Sequence, residues 1–333
     1  MFDERELQSI WYGGREPSLP LRMLEAVYSG IVSLRRAAYG AGLLPRVRLR
    51  VPVVVVGNLT AGGTGKTPLT IALVEALRTR GFKPGVISRG YGAGARAPLT
   101  VDARSDPAVV GDEPCLIARA TGVPTAVCRD RAAAAGLLLT SSTIDVLIAD
   151  DGLQHLKLRR DVEICVVDGE RRLGNGRLLP AGPLREPAGR LGDFDFRVCN
   201  GGTPLAGEIA MGLVGDEAIP LTTSGAGRKL HDFAGQRVHA VAGIGNPTRF
   251  FKQLRGAGIE VIEHAFADHH AFSTSDIGFG DELPVLMTEK DAVKCVAFAD
   301  TRCWSVPVRA VLSDGFFDAV AAMLRATATV PAA

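Results

Sequence analysis

One long stretch of the sequence contains basic residues but no acidic ones. No Asp or Glu lies between Glu25 and Glu75. That stretch holds six basic side chains: Arg35, Arg36, Arg46, Arg48, Arg50 and Lys66. The whole chain has a formal net charge of only +2, so its composition gives no argument for a nucleic-acid partner. The local excess of positive charge instead favours an anionic ligand or an anionic surface.

Cysteines at redox or metal-binding spacing are also absent. The six cysteines are scattered and none forms C-x-x-C, so we expect reduced, buried thiols. No apolar run approaches the roughly 18–20 residues that span a bilayer. Because residues 1–16 carry charges throughout, we expect no signal peptide. The 333 residues, 47% hydrophobic and 22% charged, are enough for two domains with a sizeable core.

The segment 17–45 combines a crowded apolar pattern with basic residues. Its large apolar side chains are Leu19, Leu21, Met23, Leu24, Val27, Tyr28, Ile31, Val32 and Leu34. A helix of this kind either lies in a membrane interface or packs on the core of the protein. The pattern alone favours neither.

Residues 53–68 (VVVVGNLTAGGTGKTP) have the order of strand, glycine-rich turn, Lys-Thr and helix that a phosphate-binding loop requires. The glycines let backbone N–H groups face an anion, and the helix N-terminus adds partial positive charge. Lys66 is expected to reach the β- and γ-phosphates, and the Thr67 hydroxyl to ligate Mg²⁺. Thr60 stands where the pattern has its first glycine, so the glycines that follow it are expected to supply the flexibility.

Strand-like and helical segments alternate along most of the chain. The alternation predicts an α/β fold, with a P-loop NTPase-like, mostly parallel sheet, helices on both faces and a smaller C-terminal α/β domain. Strands are predicted at 51–56, 84–88, 125–128, 145–149, 163–167, 238–242, 260–264, 284–288 and 304–312. Helices are predicted at 68–80, near 112–121, near 130–139, at 248–256 and at 316–324. The predicted division is an N-terminal helical segment 1–50, a P-loop domain 51–205, a connector 206–236 and a C-terminal domain 237–333.

Two carboxylates end the predicted strand 145–149. In a P-loop protein, a carboxylate at this place holds Mg²⁺ directly or through water, which is the role expected for Asp150 or Asp151. The alternative is an Asp-Asp-Gly turn that only ends the strand. His155 follows closely and either binds phosphate or substrate or caps the loop.

Other charged motifs allow both a functional and a structural interpretation. Asp112 opens a predicted helix, either as a general base or Mg²⁺ ligand or as an acid favoured by the helix dipole. Residues 268–270 (DHH) are either a base oriented by a carboxylate or a surface turn. Arg185 suits a phosphate contact, and 88–92 (SRGYG) could reach the edge of the site. Residues 288–291 (TEKD) are interpreted as a charged turn that caps a helix.

Seven motifs, taken in order, resemble those of the tetraacyldisaccharide 4'-kinases, the lipid A 4'-kinases of Gram-negative bacteria. They run from the P-loop almost to the C-terminus, so the resemblance covers nearly the whole chain. The motifs are 57–68 (GNLTAGGTGKTP), 88–92 (SRGYG), 111–114 (GDEP), 150–155 (DDGLQH), 179–186 (LPAGPLRE), 266–269 (FADH) and 288–294 (TEKDAVK).

The resemblance implies transfer of the γ-phosphoryl group of ATP, with Mg²⁺, to the 4'-hydroxyl of a tetraacyl glucosamine disaccharide 1-phosphate. The product is the bis-phosphorylated lipid A precursor. Because this glycolipid is embedded in the inner membrane, the resemblance implies a peripheral protein on the cytoplasmic face and favours the interfacial interpretation of 17–45. We expect no nucleic-acid partner and no obligate protein partner.

The resemblance also implies roles for individual residues. Asp112 and His269 match the catalytic pair, with Asp112 the base on the 4'-hydroxyl. The Asp-His order points to His269 rather than His270. The nucleotide-binding residues are Gly62, Gly63, Thr64, Gly65, Lys66 and Thr67, and the metal ligands are Thr67 and Asp150. Further residues placed along the site are Arg89, Tyr91, Arg131, Asp151, His155, Arg185 and Glu186.

From the residues alone, two other functions stay open. A P-loop kinase acting on a small polar substrate explains the phosphate loop but leaves the apolar N-terminal segment unused. A regulatory NTPase that hydrolyses nucleotide to change partners is the second. The guanine-specifying Asn-Lys-x-Asp motif is absent, since residues 288–291 have Thr in place of Asn.

Overall fold

A computed structural model describes residues 4–90, 97–222 and 225–328. The α-helices of this part of the chain are α1 (Glu4–Tyr12), α2 (Leu19–Gly40), α3 (Lys66–Thr79), α4 (Pro107–Val110), α5 (Asp112–Thr121), α6 (Arg131–Ser141), α7 (Pro247–Gly256), α8 (Thr274–Ile277), α9 (Glu289–Cys295) and α10 (Asp314–Ala328). Short 3₁₀ helices cover Ala188–Asp193 and Leu230–Phe233.

The strands form two sheets. In chain order the strands are β1 (Val53–Gly57), β2 (Pro84–Ser88), β3 (Leu99–Val101), β4 (Thr125–Val127), β5 (Val146–Asp150), β6 (Val162–Asp168), β7 (Phe196–Asn200), β8 (Ile209–Val214), β9 (Glu217–Pro220), β10 (Arg228–Lys229), β11 (Arg237–Ala242), β12 (Glu260–Ala265), β13 (Val285–Thr288), β14 (Cys303–Val306) and β15 (Arg309–Val311). The first sheet has nine strands in the order β15-β8-β7-β6-β1-β5-β2-β4-β3, and the second has six in the order β10-β9-β14-β13-β11-β12. The mostly parallel α/β fold that the sequence predicts is confirmed.

The central strands of the first sheet are runs of β-branched residues, which is typical of a sheet that is buried on both faces. In β1, Val54 and Val56 face a core closed by α3, α5 and α10, whereas Val53 and Val55 face a second core closed by α6 and the N-terminal helix α2. Strands β6, β1, β5 and β2 are parallel neighbours, so their C-terminal ends meet at one edge. Ligands of open α/β sheets bind at that edge.

The second sheet is smaller, and its core is drawn from β11, β13 and β14 together with α7. Phe233 and Phe251 are its largest fully buried side chains. Strands β12, β11, β13 and β14 are parallel, and β9 joins β14 antiparallel. Helix α9 follows β13 directly and packs against α5 of the first sheet, so the two sheets touch through these helices.

Two predicted ranges differ from the observed elements. The predicted connector 206–236 contains β8, which extends the first sheet, and β9 and β10, which belong to the second. The predicted strand 304–312 is two strands, β14 and β15, which lie in different sheets. Strand β15 pairs with β8, and α10 packs Phe316, Val320 and Leu324 into the first core. The end of the predicted C-terminal range 237–333 therefore returns to the first sheet. The domain boundaries themselves stay a prediction.

Helix α2 turns most of its apolar residues away from the protein. Leu21 is buried, Tyr28 Oη donates to Arg185 O at 3.0 Å, and Glu25 accepts from Arg177 at 3.1 Å. The opposite side carries large apolar side chains that are each more than half exposed: Leu19, Met23, Leu24, Val27, Ile31 and Leu34. Within the described residues, no helix has both the length and the apolar character needed to cross a membrane.

Candidate active site

The phosphate loop lies between β1 and α3 and depends on glycine at two positions. Gly62 has φ 99° and Gly65, the N-cap of α3, has φ 92°, a region that side-chain-bearing residues avoid. A Cβ on Gly65 would lie only 2.3 Å from Asn200 Nδ2. Only glycine therefore satisfies both the backbone angle and the close approach at residue 65.

Neighbouring segments hold this loop in place. Asn200, at the end of β7, donates from Nδ2 to Thr64 O at 2.8 Å. Ala61 N donates to Pro183 O at 2.7 Å, and Arg185 N donates to Leu59 O at 2.6 Å. The loop containing Pro183 and Arg185 is thus bonded by its backbone to the phosphate loop.

A glycine turn of the second sheet contacts the phosphate loop. A Cβ on Gly245 would lie 2.2 Å from Gly63 N, and Arg171 donates to Gly245 O at 2.8 Å. Gly245 is not among the predicted site residues. The sequence signal that points to Gly245 is the Gly-Ile-Gly-Asn-Pro turn at 243–247, which follows a predicted strand.

A cavity of about 260 Å³ lies where the two sheets meet at this loop. Lys66 and Thr67 line one side, and Asn246, Arg249 and Phe250 of the second sheet line the other. The cavity also has an apolar wall formed by Ile71, Leu116, Leu213, Ile244, Val306 and Val308. A space with backbone N–H groups at one end and apolar walls suits a ligand with an anionic and an aromatic part.

Asp151 gathers three cationic side chains at the end of β5. Its carboxylate lies 3.6 Å from Lys66 Nζ and accepts from Arg185 at 3.1 Å, and its carbonyl accepts from Arg131 at 2.5 Å. Burial by itself would raise the pKa of Asp151, but Lys66 and Arg185 hold it well below its usual range. Asp151 also has a positive φ of 47°, a strained conformation for a non-glycine residue.

Asp150 has a different environment from its neighbour. It is fully buried, its Oδ1 accepts from Thr70 at 2.7 Å, and its Oδ2 has no hydrogen-bond partner among the described residues. Burial, and the negative charge of nearby Glu113, raise the pKa of Asp150 to about 7. A buried carboxylate oxygen without a partner, beside further carboxylates, suits a divalent cation.

Asp112 and His269 meet across the two sheets, although 157 positions separate them in the chain. His269 Nδ1 lies 3.1 and 3.0 Å from the two Asp112 carboxylate oxygens. Because an ionised carboxylate only accepts, the proton of this contact lies on Nδ1. His269 has φ 62°, so the loop after β12 holds it in a strained conformation.

The pair is largely shielded from water, which affects its two pKa values. Burial would raise the pKa of Asp112, but the hydrogen bond from His269 and the charge of Lys290 lower it below its usual value. Burial would lower the pKa of His269, but the contact with Asp112 raises it above its usual value. Each partner thus stabilises the charged form of the other.

Lys290, at the start of α9, is a residue of this cluster that the sequence analysis does not select. Its Nζ lies 3.1 Å from Glu113, 3.1 Å from Asp268 and 3.4 Å from His269 Nε2. The surrounding carboxylates raise its pKa above the usual value, although burial opposes this. The interpretation of 288–291 as a helix cap is also correct, because Thr288 Oγ1 accepts from Asp291 N. The motif therefore both caps α9 and places Lys290 in the cluster.

The other predicted site residues have different environments. Glu186 is buried and accepts from Gln154 at 2.9 Å and from Arg190 at 3.2 Å. Burial, with the nearby Arg131, lowers the pKa of His155 to about 4, so its imidazole is neutral at pH 7. Arg89 is exposed just after β2, and Tyr91 lies outside the described residues.

Comparisons with known proteins agree with one another. The family model described as tetraacyldisaccharide-1-P 4'-kinase matches residues 17–325. The tetraacyldisaccharide 4'-kinase of Stenotrophomonas maltophilia is 54% identical over 320 residues, covering 93% of this chain and 94% of that protein. That of Xanthomonas campestris pv. campestris is 52% identical over 325 residues, covering 92% of each. A crystal structure of "apo" form LpxK from Aquifex aeolicus in complex with ATP superposes with a TM-score of 0.75 at 28% identity, covering 90% of this chain and 97% of that one.

Proposed function

The chain belongs to the tetraacyldisaccharide 4'-kinase family, and we propose that it transfers the γ-phosphoryl group of ATP to the 4'-hydroxyl of a tetraacyl glucosamine disaccharide 1-phosphate. The observation that carries this proposal is the contact between Asp112 and His269, which joins the two sheets next to Glu113 and Lys290, two residues that line the cavity at the phosphate loop. A hydroxyl acceptor needs a base at such a place, whereas simple nucleotide binding does not.

The phosphate loop binds the nucleotide in this proposal. The backbone N–H groups around Gly62 and Gly65 and the Lys66 ammonium face the phosphates, and the apolar wall of the cavity receives the adenine. Thr67 and Asp150 would hold Mg²⁺, which suits the unpartnered Oδ2 of Asp150. The chemistry that this ion supplies when bound is neutralisation of phosphate charge.

Proton removal is assigned to the cross-sheet pair. Asp112 accepts the hydroxyl proton in the transition state, and His269, which donates from Nδ1 to Asp112, orients this carboxylate. Lys290, in the helix after β13, contacts both His269 and Glu113 of α5. The pair is therefore assembled only while the two sheets are in contact. When the cleft is open, no base is assembled beside the phosphate loop. A water molecule that enters is then not deprotonated, which limits hydrolysis of ATP.

The acceptor reaches the site from a membrane surface. The exposed apolar side of α2 has the composition of a helix that lies in a bilayer interface, and the basic residues around it favour anionic lipid. Because Tyr28 of α2 is bonded to Arg185 O, the helix also fixes the position of the loop beside Asp151. The exposed apolar side of α2 supports the proposal of a peripheral enzyme on the inner-membrane surface.

The test of the function is ATP turnover in detergent with and without the disaccharide 1-phosphate, with identification of the phosphorylated position. We expect the glycolipid to be phosphorylated at the 4'-hydroxyl, while small amino sugars are poor acceptors. Equal turnover with small sugars would favour a kinase for polar substrates. Hydrolysis at a rate that no acceptor changes would favour a regulatory NTPase.

The membrane assignment has its own test. The double variant Val27→Ser/Ile31→Ser removes apolar area from the exposed side of α2 without touching a buried contact. We expect its binding to neutral vesicles to fall on the order of tenfold or more, since each buried methylene group contributes about 0.8 kcal/mol. Unchanged binding by the folded variant would contradict the interfacial assignment.

A further inference from the structure

A second cavity, of about 400 Å³, lies at the C-terminal end of α2. Its charged lining consists of Arg36, Arg46, Arg159, Arg160, Arg190 and Glu163, which we call the arginine pocket. None of its five arginines has a role in the kinase reaction proposed above.

The positive charge of the arginine pocket is only partly compensated. Arg160 pairs with Glu163 at 2.9 Å, and Arg190 pairs with Glu186 at 3.2 Å. Within the described residues, Arg46 and Arg159 have no carboxylate within 4.0 Å. Two guanidinium groups are thus left to attract an anion, and the fork of N–H donors on each suits phosphate oxygens.

A parallel backbone bridge between Val47 and Leu158 joins the two segments that carry the uncompensated arginines. Val47 N donates to Lys157 O at 2.7 Å, and Arg159 N donates to Val47 O at 2.9 Å. These bonds join the segment that carries Arg46 to the segment that carries Arg159. The backbone on this side of the pocket is therefore fixed in the absence of a ligand, while the Arg46 and Arg159 side chains remain exposed.

The position of the pocket relative to α2 indicates which anion it meets. Arg36 lies on the side of α2 that packs on the protein, whereas Ile31 and Leu34 lie on the exposed apolar side. A helix is about 10 Å across, and an interfacial helix enters the bilayer by about 5–10 Å. A pocket beneath the end of α2 is then at the depth of the lipid phosphates.

We propose that the arginine pocket binds the phosphate headgroup of an anionic bilayer phospholipid, with Arg46 and Arg159 as its principal ligands. The inference rests on the proposed interfacial position of α2. It adds a polar anchor at one end of a helix whose exposed side is otherwise apolar. Arg36 and Arg190 both contact Glu186, so an occupied pocket lies directly behind a residue placed along the acceptor site.

The test measures binding of the full chain to vesicles of phosphatidylglycerol and phosphatidylcholine, and to phosphatidylcholine alone, by sedimentation. The variants are Arg46→Ala and Arg159→Ala, and the matched control is Arg48→Ala. Arg48 is exposed two positions from Arg46 and carries the same charge but does not line the pocket. Thermal melting verifies that each variant is folded.

We expect Arg46→Ala and Arg159→Ala each to weaken binding to the anionic vesicles by about tenfold or more, because each removes a charged hydrogen bond to the phosphate. Arg48→Ala should lose no more than the roughly fivefold that one surface charge contributes, and binding to phosphatidylcholine alone should not change. An equal loss in Arg48→Ala would show an unspecific charge effect and overturn the pocket. A parent that does not prefer anionic vesicles would overturn it as well.

A separate arm distinguishes a phospholipid from the acceptor's own 1-phosphate. Kinase activity of Arg46→Ala is measured in neutral detergent without phospholipid, where we expect an unchanged KM for the disaccharide 1-phosphate. A raised KM would assign the pocket to the acceptor and overturn the phospholipid assignment. Absence of kinase activity in the parent would contradict the proposed function, while the vesicle measurements would still decide the pocket.

Discussion

The two sides of the candidate site are built in different ways. The nucleotide side comes from one short stretch, where β1, the glycine loop and α3 follow each other directly. The proton-accepting side is assembled from three distant segments that carry Asp112, His269 and Lys290. The residues of the first side are neighbours in the chain, although Asn200 and Gly245 also contact the loop, whereas the second side exists only while both sheets are in contact. The phosphate-loop residues are therefore set by the local sequence, and acceptance of the proton is a property of the assembled cleft.

The largest expected effect separates chemistry from nucleotide binding. Asp112→Asn keeps the shape of the side chain but removes the charge that accepts the proton, so we expect kcat to fall about 10²–10⁴-fold. ATP affinity should change by only a few-fold, because the phosphate loop is untouched. Steady-state kinetics and calorimetric ATP titration measure the two quantities. The control Glu75→Gln removes a charge from an exposed position on α3. A loss confined to ATP affinity would contradict the assignment.

Lys66→Ala changes the nucleotide side of the site. Lys66 is buried beside Asp151, and its removal takes away the positive charge expected on the transferring phosphate. We expect turnover to fall on the order of 10²-fold, with weaker ATP binding as well. Lys83→Ala, at an exposed position, is the control. Turnover near that of the control would remove the phosphate-loop assignment.

A smaller effect is expected from the residue that joins the two sides. Lys290→Met removes the cation beside His269 Nε2 and Glu113, and we expect kcat to fall about tenfold, as for the loss of one charged hydrogen bond. Lys290 opposes protonation of His269, so its removal should raise the pKa of the histidine further. The acid limb of the pH–rate profile should then move to higher pH. Lys290→Arg should restore most of the rate, and a profile that does not move in Lys290→Met would indicate a purely structural role.

The smallest effect concerns stability. His269 has a raised pKa in the folded protein, so its contribution to stability is fully present below its usual value of 6.5 and is lost as pH rises through the folded value. Asp112 stays ionised over that window because its pKa is lowered. We expect His269→Ala to lower the melting temperature by about 2 °C at pH 6 and by less at pH 9. His231→Ala, which removes an exposed histidine, should show no such trend, and a loss for His269→Ala that grows with pH would contradict the sign.

The sequence predicts the nucleotide side well because its signals are local. A strand predicted at 51–56 is observed at Val53–Gly57, and a helix predicted at 68–80 is observed at Lys66–Thr79. Residues that supply both the anion site and its backbone angles are neighbours in the chain, so their spacing carries the information. The mostly parallel sheet follows from the same alternation of strands and helices.

The cross-sheet side could not be derived from spacing. Lys290 and Glu113 are 177 positions apart, and a charged turn in the sequence does not say which acids it meets in the fold. Only the resemblance to a family predicts that Asp112 and His269 form a pair. Likewise, the apolar pattern of α10 predicts a helix, but only the fold shows that it returns to the first sheet. The pattern of helix α2 is compatible with a core or with a membrane interface, and only the fold shows that one side of the helix is exposed.

A double-mutant cycle on Asp112 and His269 tests most directly whether the assembled cleft supplies the base. The kcat values of Asp112→Asn, His269→Ala and the double variant are compared with that of the parent under saturating ATP and glycolipid. If the two side chains act as one unit across the sheets, the double variant should be scarcely slower than the slower single variant. Defects that multiply fully would show that the residues act independently and would contradict this account.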